Sequence, residues 1–172
     1  TLPVEALGTR NTVEWFVRLG IKIARALGEV HRHGLVHRDV KPSNILLRQN
    51  GQPVLADFGL AREGDLEVTH ASFAGTPVYA APERLRNGDA DLDARADVYS
   101  LGVTLYEAMT LDAPFSGKTT HEVLRRIEDG RLPSLRKRAP HVAHDLAIVI
   151  GKAMETDRRH RYATADELAD DL

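Results

Sequence analysis

The chain has no cysteine among its 172 residues, which excludes a disulfide framework and thiolate metal sites and fits a reducing compartment. No apolar run approaches the roughly eighteen residues of a membrane-spanning helix. Positive charge is not in excess: 23 Lys and Arg stand against 25 Asp and Glu, for a net charge of −2. Nothing therefore advertises a nucleic-acid surface. No signal-peptide pattern follows Thr1, so the chain reads as a segment of something longer. A cytoplasmic setting is expected, with any membrane anchor of the parent outside this segment. Phosphate-cradling glycines are missing too, since Gly8 and Gly20 are too scattered to form such a loop. What remains is 42% hydrophobic and 28% charged, a composition that excludes disorder and suits one soluble domain or large lobe.

The informative stretch is His37-Arg38-Asp39-Val40-Lys41-Pro42-Ser43-Asn44. It offers a carboxylate, a cation two residues on and a side-chain amide three beyond that, with Pro42 limiting the backbone between them. Apolar Ile45-Leu46-Leu47 follows, then polar residues 48–52 with an Asn-Gly turn signal, then Pro53-Val54-Leu55-Ala56 leading into Asp57-Phe58-Gly59. Two short strands around such a turn predict a hairpin. A hairpin returns the chain to its start, so Asn44 and Asp57 are expected to meet at the open end. An amide oxygen and a carboxylate are hard ligands suited to magnesium carrying phosphates. Asp39 lies close enough to orient a hydroxyl toward such a phosphate. That is the outline of a phosphoryl-transfer site.

Elsewhere the patterns are helical. Val13, Phe16, Gly20, Ile23, Ala24, Leu27, Val30 and His31 form one stripe of a helix from about Thr12 to His33, with Thr12 as N-cap and Gly34 as stop. Residues 60–79 are too polar and irregular for a regular element. Further helices are expected over Ala81–Arg86, Ala94–Met109, Thr120–Asp129, Ala143–Glu155 and Ala163–Leu172. The Ala94–Met109 segment is apolar on most sides and should be buried, which makes Asp97 an exception in need of donors. The basic runs Arg136-Lys137-Arg138 and Arg158-Arg159-His160 read as solvated faces.

Three ordered motifs carry a family resemblance. The catalytic-loop pattern at residues 37–44 (Val40 standing for Leu), Asp57-Phe58-Gly59 and Ala81-Pro82-Glu83 resemble the C-terminal lobe of a eukaryotic-type (Hanks-type) serine/threonine protein kinase, bacterial-like in wording around Asp97-Val98-Tyr99-Ser100-Leu101-Gly102. The resemblance implies a fold that is mainly α with a short β-hairpin (α+β), spanning residues 1–172 with the N-terminal lobe absent. Within it, 11–34 is the long helix, 35–59 the catalytic loop, hairpin and metal triplet, 60–83 the activation segment and 94–109 the central buried helix. It further implies ATP and Mg2+ as cofactors and proteins bearing Ser or Thr as partners, along with the missing lobe. Asp39, Lys41 and Thr76 are the implied catalytic residues. Lys41, Asn44, Leu46 and Asp57 would bind nucleotide, with Asn44 and Asp57 on the metal and Leu46 a core strand residue under the adenine. His37, Phe58, Asp97 and the Glu83–Arg161 pair would be structural. Arg38 and Arg62 would receive a regulatory phosphate on Ser72 or Thr69, unless Arg38 pairs with an acidic residue such as Glu67. Without the N-terminal lobe the isolated chain is expected to bind nucleotide weakly. Two other classes compete: a pseudokinase or scaffold, which would usually have lost Asp39, Asn44 or Asp57, and a small-molecule phosphotransferase of related fold, which would lack the peptide shelf.

Overall fold

The computed structural model describes residues 10–57 and 77–172. Among these the chain forms α1 (Arg10–Arg32), β1 (Ile45–Leu47), β2 (Pro53–Leu55), α2 (Pro82–Asn87), α3 (Ala94–Thr110), α4 (Thr120–Asp129), α5 (Leu135–Arg138), α6 (His144–Ala153) and α7 (Ala165–Asp171). The two strands pair antiparallel with Ile45 opposite Leu55, Leu46 opposite Val54 and Leu47 opposite Pro53. The result is mainly helical with one small hairpin.

α3 is the core. Val98, Leu101, Val103, Tyr99 and Tyr106 are all buried on it, so no face is left for water. Its polar residues are satisfied locally: Ser100 Oγ donates to the Tyr79 carbonyl at 2.7 Å and Thr104 Oγ1 to the Ser100 carbonyl at 2.9 Å. A Cβ on Gly102 would stand 2.8 Å from Met154 Cγ, so only glycine lets α6 approach this closely. α1 lies across α3 and packs also on α7, burying Ile23, Ala24 and Leu27.

Side-chain caps set several boundaries. Asp93 accepts from the Arg95 amide to open α3, and Thr119 accepts from the Glu122 amide to open α4. At α7, Thr164 accepts from the Glu167 amide while Glu167 accepts from the Ala163 amide at 2.9 Å, a variant of the capping box in which the return bond reaches the residue before the cap. That box starts α7 two residues after the expected Ala163. α6 is likewise shorter than Ala143–Glu155, because the backbone turns out of helical geometry at Met154 (φ −95°, ψ 13°).

Other expectations are corrected. Thr12 is not an N-cap: α1 begins at Arg10 and Thr12 is buried inside it. A hydroxyl near a helix start suits packing as well as capping, and packing decides here. Gly34 does end the helix, at φ +73°. Leu46 is not a core strand residue but 54% exposed, and Leu47, on the opposite face, is 50% exposed, because a two-stranded hairpin is too small to cover either. Pro77–Tyr79, placed in the irregular stretch, forms a single 3-10 turn with Val78 buried. The run Arg136–Arg138 closes the short helix α5, and Arg138 is tied to Asp112 at 3.0 Å rather than free in solvent. Arg158 similarly bonds Asp91 at 3.0 Å.

Candidate active site

A left-handed backbone turn starts the site. Arg38 has φ 70°, a region that non-glycine residues enter at a cost of about 1–2 kcal/mol. The turn is held by Asp97, whose side chain is 0% exposed. Its Oδ2 accepts from the His37 amide at 2.7 Å and its Oδ1 from the Arg38 amide at 2.8 Å. His31 Nε2 lies 2.8 Å from the same Oδ2. A buried carboxylate is thus surrounded by donors from α1 and the loop.

Beyond the turn, three polar side chains converge. Lys41 Nζ donates to Asp39 Oδ2 at 2.8 Å, and Asn44 Nδ2 donates to the same oxygen at 2.9 Å and to the Asp39 carbonyl at 2.8 Å. Both side-chain bonds fall on Oδ2, so Oδ1 has no partner among the described residues. Burial works to raise the Asp39 carboxyl's pKa, but the bonds from Lys41 and Asn44, with the charges of Lys41 and Arg84, outweigh it and hold the pKa below its ordinary value. The carboxylate is ionised and directed.

The hairpin brings the second carboxylate close. The Ala56 amide donates to the Asn44 carbonyl at 2.8 Å, which sets Asn44 level with the residue before Asp57. Asp57 is exposed and has φ 54°. The Asn44 Oδ1 and the Asp57 carboxylate make a hard-oxygen donor set that fits a magnesium ion sharing phosphate and water ligands. Among the described residues no group of three or more His, Asp or Glu could hold a metal by protein ligands alone.

His37 is buried beside the loop, and its Nδ1 accepts from the Asp39 amide at 3.3 Å. Burial lowers its pKa, opposed by the charge of Asp97 and a bond to the Ala56 backbone. The folded protein therefore binds this proton less readily than the unfolded chain, whose value is about 6.5. Stability from His37 is present above about pH 6.5 and is lost as pH falls below it. Asp39, also depressed, loses its contribution only further down, below about pH 4. Thermal unfolding between about pH 5 and about pH 7 should show a falling midpoint on acidification that His37→Phe flattens. An unchanged slope in that variant would show that His37 does not carry it.

With this geometry in place, the relatives are informative. A family model described as the protein kinase domain matches residues 13–171. The chain belongs to that family. It is 40% identical over 158 residues to the serine/threonine-protein kinase PknK of Mycobacterium tuberculosis, covering 90% of this chain and 14% of the relative. It is 39% identical over 153 residues to the serine/threonine-protein kinase PknB of Mycolicibacterium smegmatis, covering 86% of this chain and 24% of the relative. This kinase chain thus spans a quarter or less of either. In structure it is similar to a Rad53 fragment solved in complex with AMP-PNP, with a TM-score of 0.75 at 26% identity, covering 91% of this chain and 39% of that one.

The remaining residues sort by place. Glu83 and Arg161 form a bidentate pair with both contacts at 2.7 Å, and the Arg161 side chain is 0% exposed. Its other donors reach the carbonyls of Glu155 at 2.6 Å, Arg95 at 3.1 Å and Thr156 at 3.1 Å, so the guanidinium is fully satisfied. The pair ties the first turn of α2 to the chain before α7. Phe58, Arg62, Glu67, Thr69, Ser72 and Thr76 lie outside the described residues. Arg38's counter-charge among the described residues is Asp89 at 3.8 Å. Asp89 also accepts from Arg84 Nε at 2.8 Å, and Arg84 Nη1 donates to the Arg38 carbonyl. Neither Arg84 nor Asp89 is visible as a site residue in the sequence, since their partner Arg38 is more than forty residues away. His31 was legible only as part of an apolar stripe; its bond to Asp97 crosses from α1 to α3. No helix among the described residues is long and apolar enough to cross a membrane.

Proposed function

We propose that the protein carrying this chain is a serine/threonine protein kinase that uses ATP and Mg2+, with this chain as its catalytic-loop-bearing lobe. The observation that carries the reading is the convergence of Lys41 and Asn44 on one oxygen of Asp39, with the Asn44 carbonyl tied to the Ala56 amide just before Asp57. Oδ1 of Asp39 is then the acceptor for the proton of a substrate hydroxyl. The hydroxyl oxygen bonds to the γ-phosphorus as the bond from phosphorus to the ADP oxygen breaks, and the proton passes to Asp39 late in a loose transition state. Lys41 carries the positive charge that answers the transferred phosphoryl group. Asn44 and Asp57 would hold magnesium, which neutralises phosphate charge when bound. The half-exposed Leu46 would offer an apolar surface for adenine, and the family resemblance gives Thr76, outside the described residues, the role of a hydrogen-bond partner for Asp39 and Lys41. Two relatives named serine/threonine-protein kinases support the choice of a protein substrate over a small molecule.

Incubating the full-length parent with γ-labelled ATP, magnesium and peptides containing Ser, Thr and Tyr tests this. Label is expected on Ser or Thr and is expected to vanish with Asp57→Ala. Transfer to tyrosine alone, or no transfer at all, sinks the reading.

Regulation belongs to the same proposal. A phosphate on Ser72 or Thr69 would carry about −1.5 to −2 charges and pair bidentately with guanidinium groups, here those of Arg38 and Arg62. The double variant Ser72→Ala with Thr69→Ala is expected to lose most of the parent's activity. Full activity in that variant would mean a constitutive enzyme.

A further inference from the structure

The peptide unit that joins Arg38 to Asp39 is gripped at both ends. Its N–H donates to His37 Nδ1 at 3.3 Å, and its carbonyl accepts from Arg84 Nη1. On the other side of Arg38, Asp97 holds the amide at 2.8 Å. A non-glycine residue at φ 70° keeps that conformation only when its surroundings over-determine it. Asp97 supplies the constraint before the strained residue. Arg84 supplies it after, on the side from which Asp39 hangs. Rotation of this peptide plane would swing the Asp39 side chain away from Lys41 and Asn44.

Arg84 is itself well anchored. Its Nε donates to Asp89 Oδ1 at 2.8 Å, and the planar fork of a guanidinium then fixes where the Nη atoms point. The preceding residue, Glu83, is locked to the buried Arg161, so α2 starts from a rigid place.

We propose that Arg84 is a positioning residue for Asp39: its bond to the Arg38 carbonyl sets the peptide plane that aims the carboxylate. The inference rests on the kinase reading above. It adds a residue outside the three motifs, held by a carboxylate, Asp89, that no motif contains.

The test uses the full-length parent enzyme. Arg84→Ala should lower kcat by about 10²-fold, the scale of a small misplacement of a reacting group, while the KM for ATP stays within about twofold. Arg84→Lys should recover part of the loss. In an Asp39→Asn background the same Arg84→Ala change should cost nothing further. Wild-type turnover in Arg84→Ala, or an equal loss in both backgrounds, overturns the inference. If Arg84→Ala does not fold, Asp89→Ala leaves Arg84 in place but without its acceptor and should lower kcat by about threefold to tenfold. An unchanged kcat there also overturns it. A wild-type parent that transfers no phosphate counts against the proposed function alone. Amide exchange then decides the positioning claim: the Asp39 amide should exchange about tenfold faster in Arg84→Ala, and equal rates overturn it.

Discussion

Asp39→Asn in the full-length parent is expected to lower kcat by about 10²- to 10⁴-fold, the usual contribution of a positioned general base. The replacement keeps shape and volume but removes the charge that Lys41 meets at 2.8 Å. It also removes Oδ1, which has no partner among the described residues, as a proton acceptor if the new amide nitrogen takes that side. The KM for ATP should change little, because the proposed role puts Asp39 on the hydroxyl and not on the nucleotide, so the loss should sit in kcat. Steady-state kinetics with saturating peptide reads this directly. Wild-type turnover in the variant would remove Asp39 from the role of base and leave the convergence of Lys41 and Asn44 without a chemical purpose.

Asp97→Ala is expected to have the largest effect on stability. The carboxylate is fully buried and takes the amides of His37 and Arg38 together with His31 Nε2. Alanine leaves two backbone donors buried without acceptors and opens space in the middle of α3. Breaking a buried, fully bonded charge costs about 3–5 kcal/mol. For a domain of this size each kcal/mol moves the midpoint by roughly 2–4 °C, so a fall on the order of 10 °C should appear in thermal unfolding. Asp97→Asn should cost less, since one acceptor oxygen survives. The folded fraction of Asp97→Ala should also turn over slowly, because the φ 70° turn at Arg38 loses the constraint on its amide side. A midpoint within about 2 °C of wild type would show that the loop does not depend on α3.

Some of this architecture is written locally and could be read in one dimension. The hairpin follows from two apolar triplets around an Asn-Gly turn, and its observed register sets Asn44 opposite Ala56. α4 runs over the expected Thr120–Asp129 because the Thr119 cap and the apolar period agree there. α3 was recognisable because a segment apolar on every side has to be interior, and a single aspartate within it has to find donors. Family membership was legible for the same kind of reason: the motif residues lie close together in sequence because the loop itself carries the chemistry.

What the sequence left open are the contacts that close over long separations. Leu46 looks like any strand leucine, and whether it is buried depends on what packs over the hairpin; among the described residues it and Leu47 both stay exposed. Thr12 looks like a cap until the helix is seen to start before it. Arg138 and Arg158 look solvated until the acidic residues that answer them fold alongside. The grip of Arg84 on the Arg38 carbonyl and the reach of His31 to Asp97 have no local signature at all, because hydrogen bonds between distant segments depend on how α1, α2 and α3 pack. The sequence by itself determined the family, the hairpin and every helix but the short α5, and named Asp39, Lys41, Asn44 and Asp57 as chemistry-bearing residues. Tertiary packing alone decided what aims them, since a strained turn is held only by groups that the fold brings to it from elsewhere.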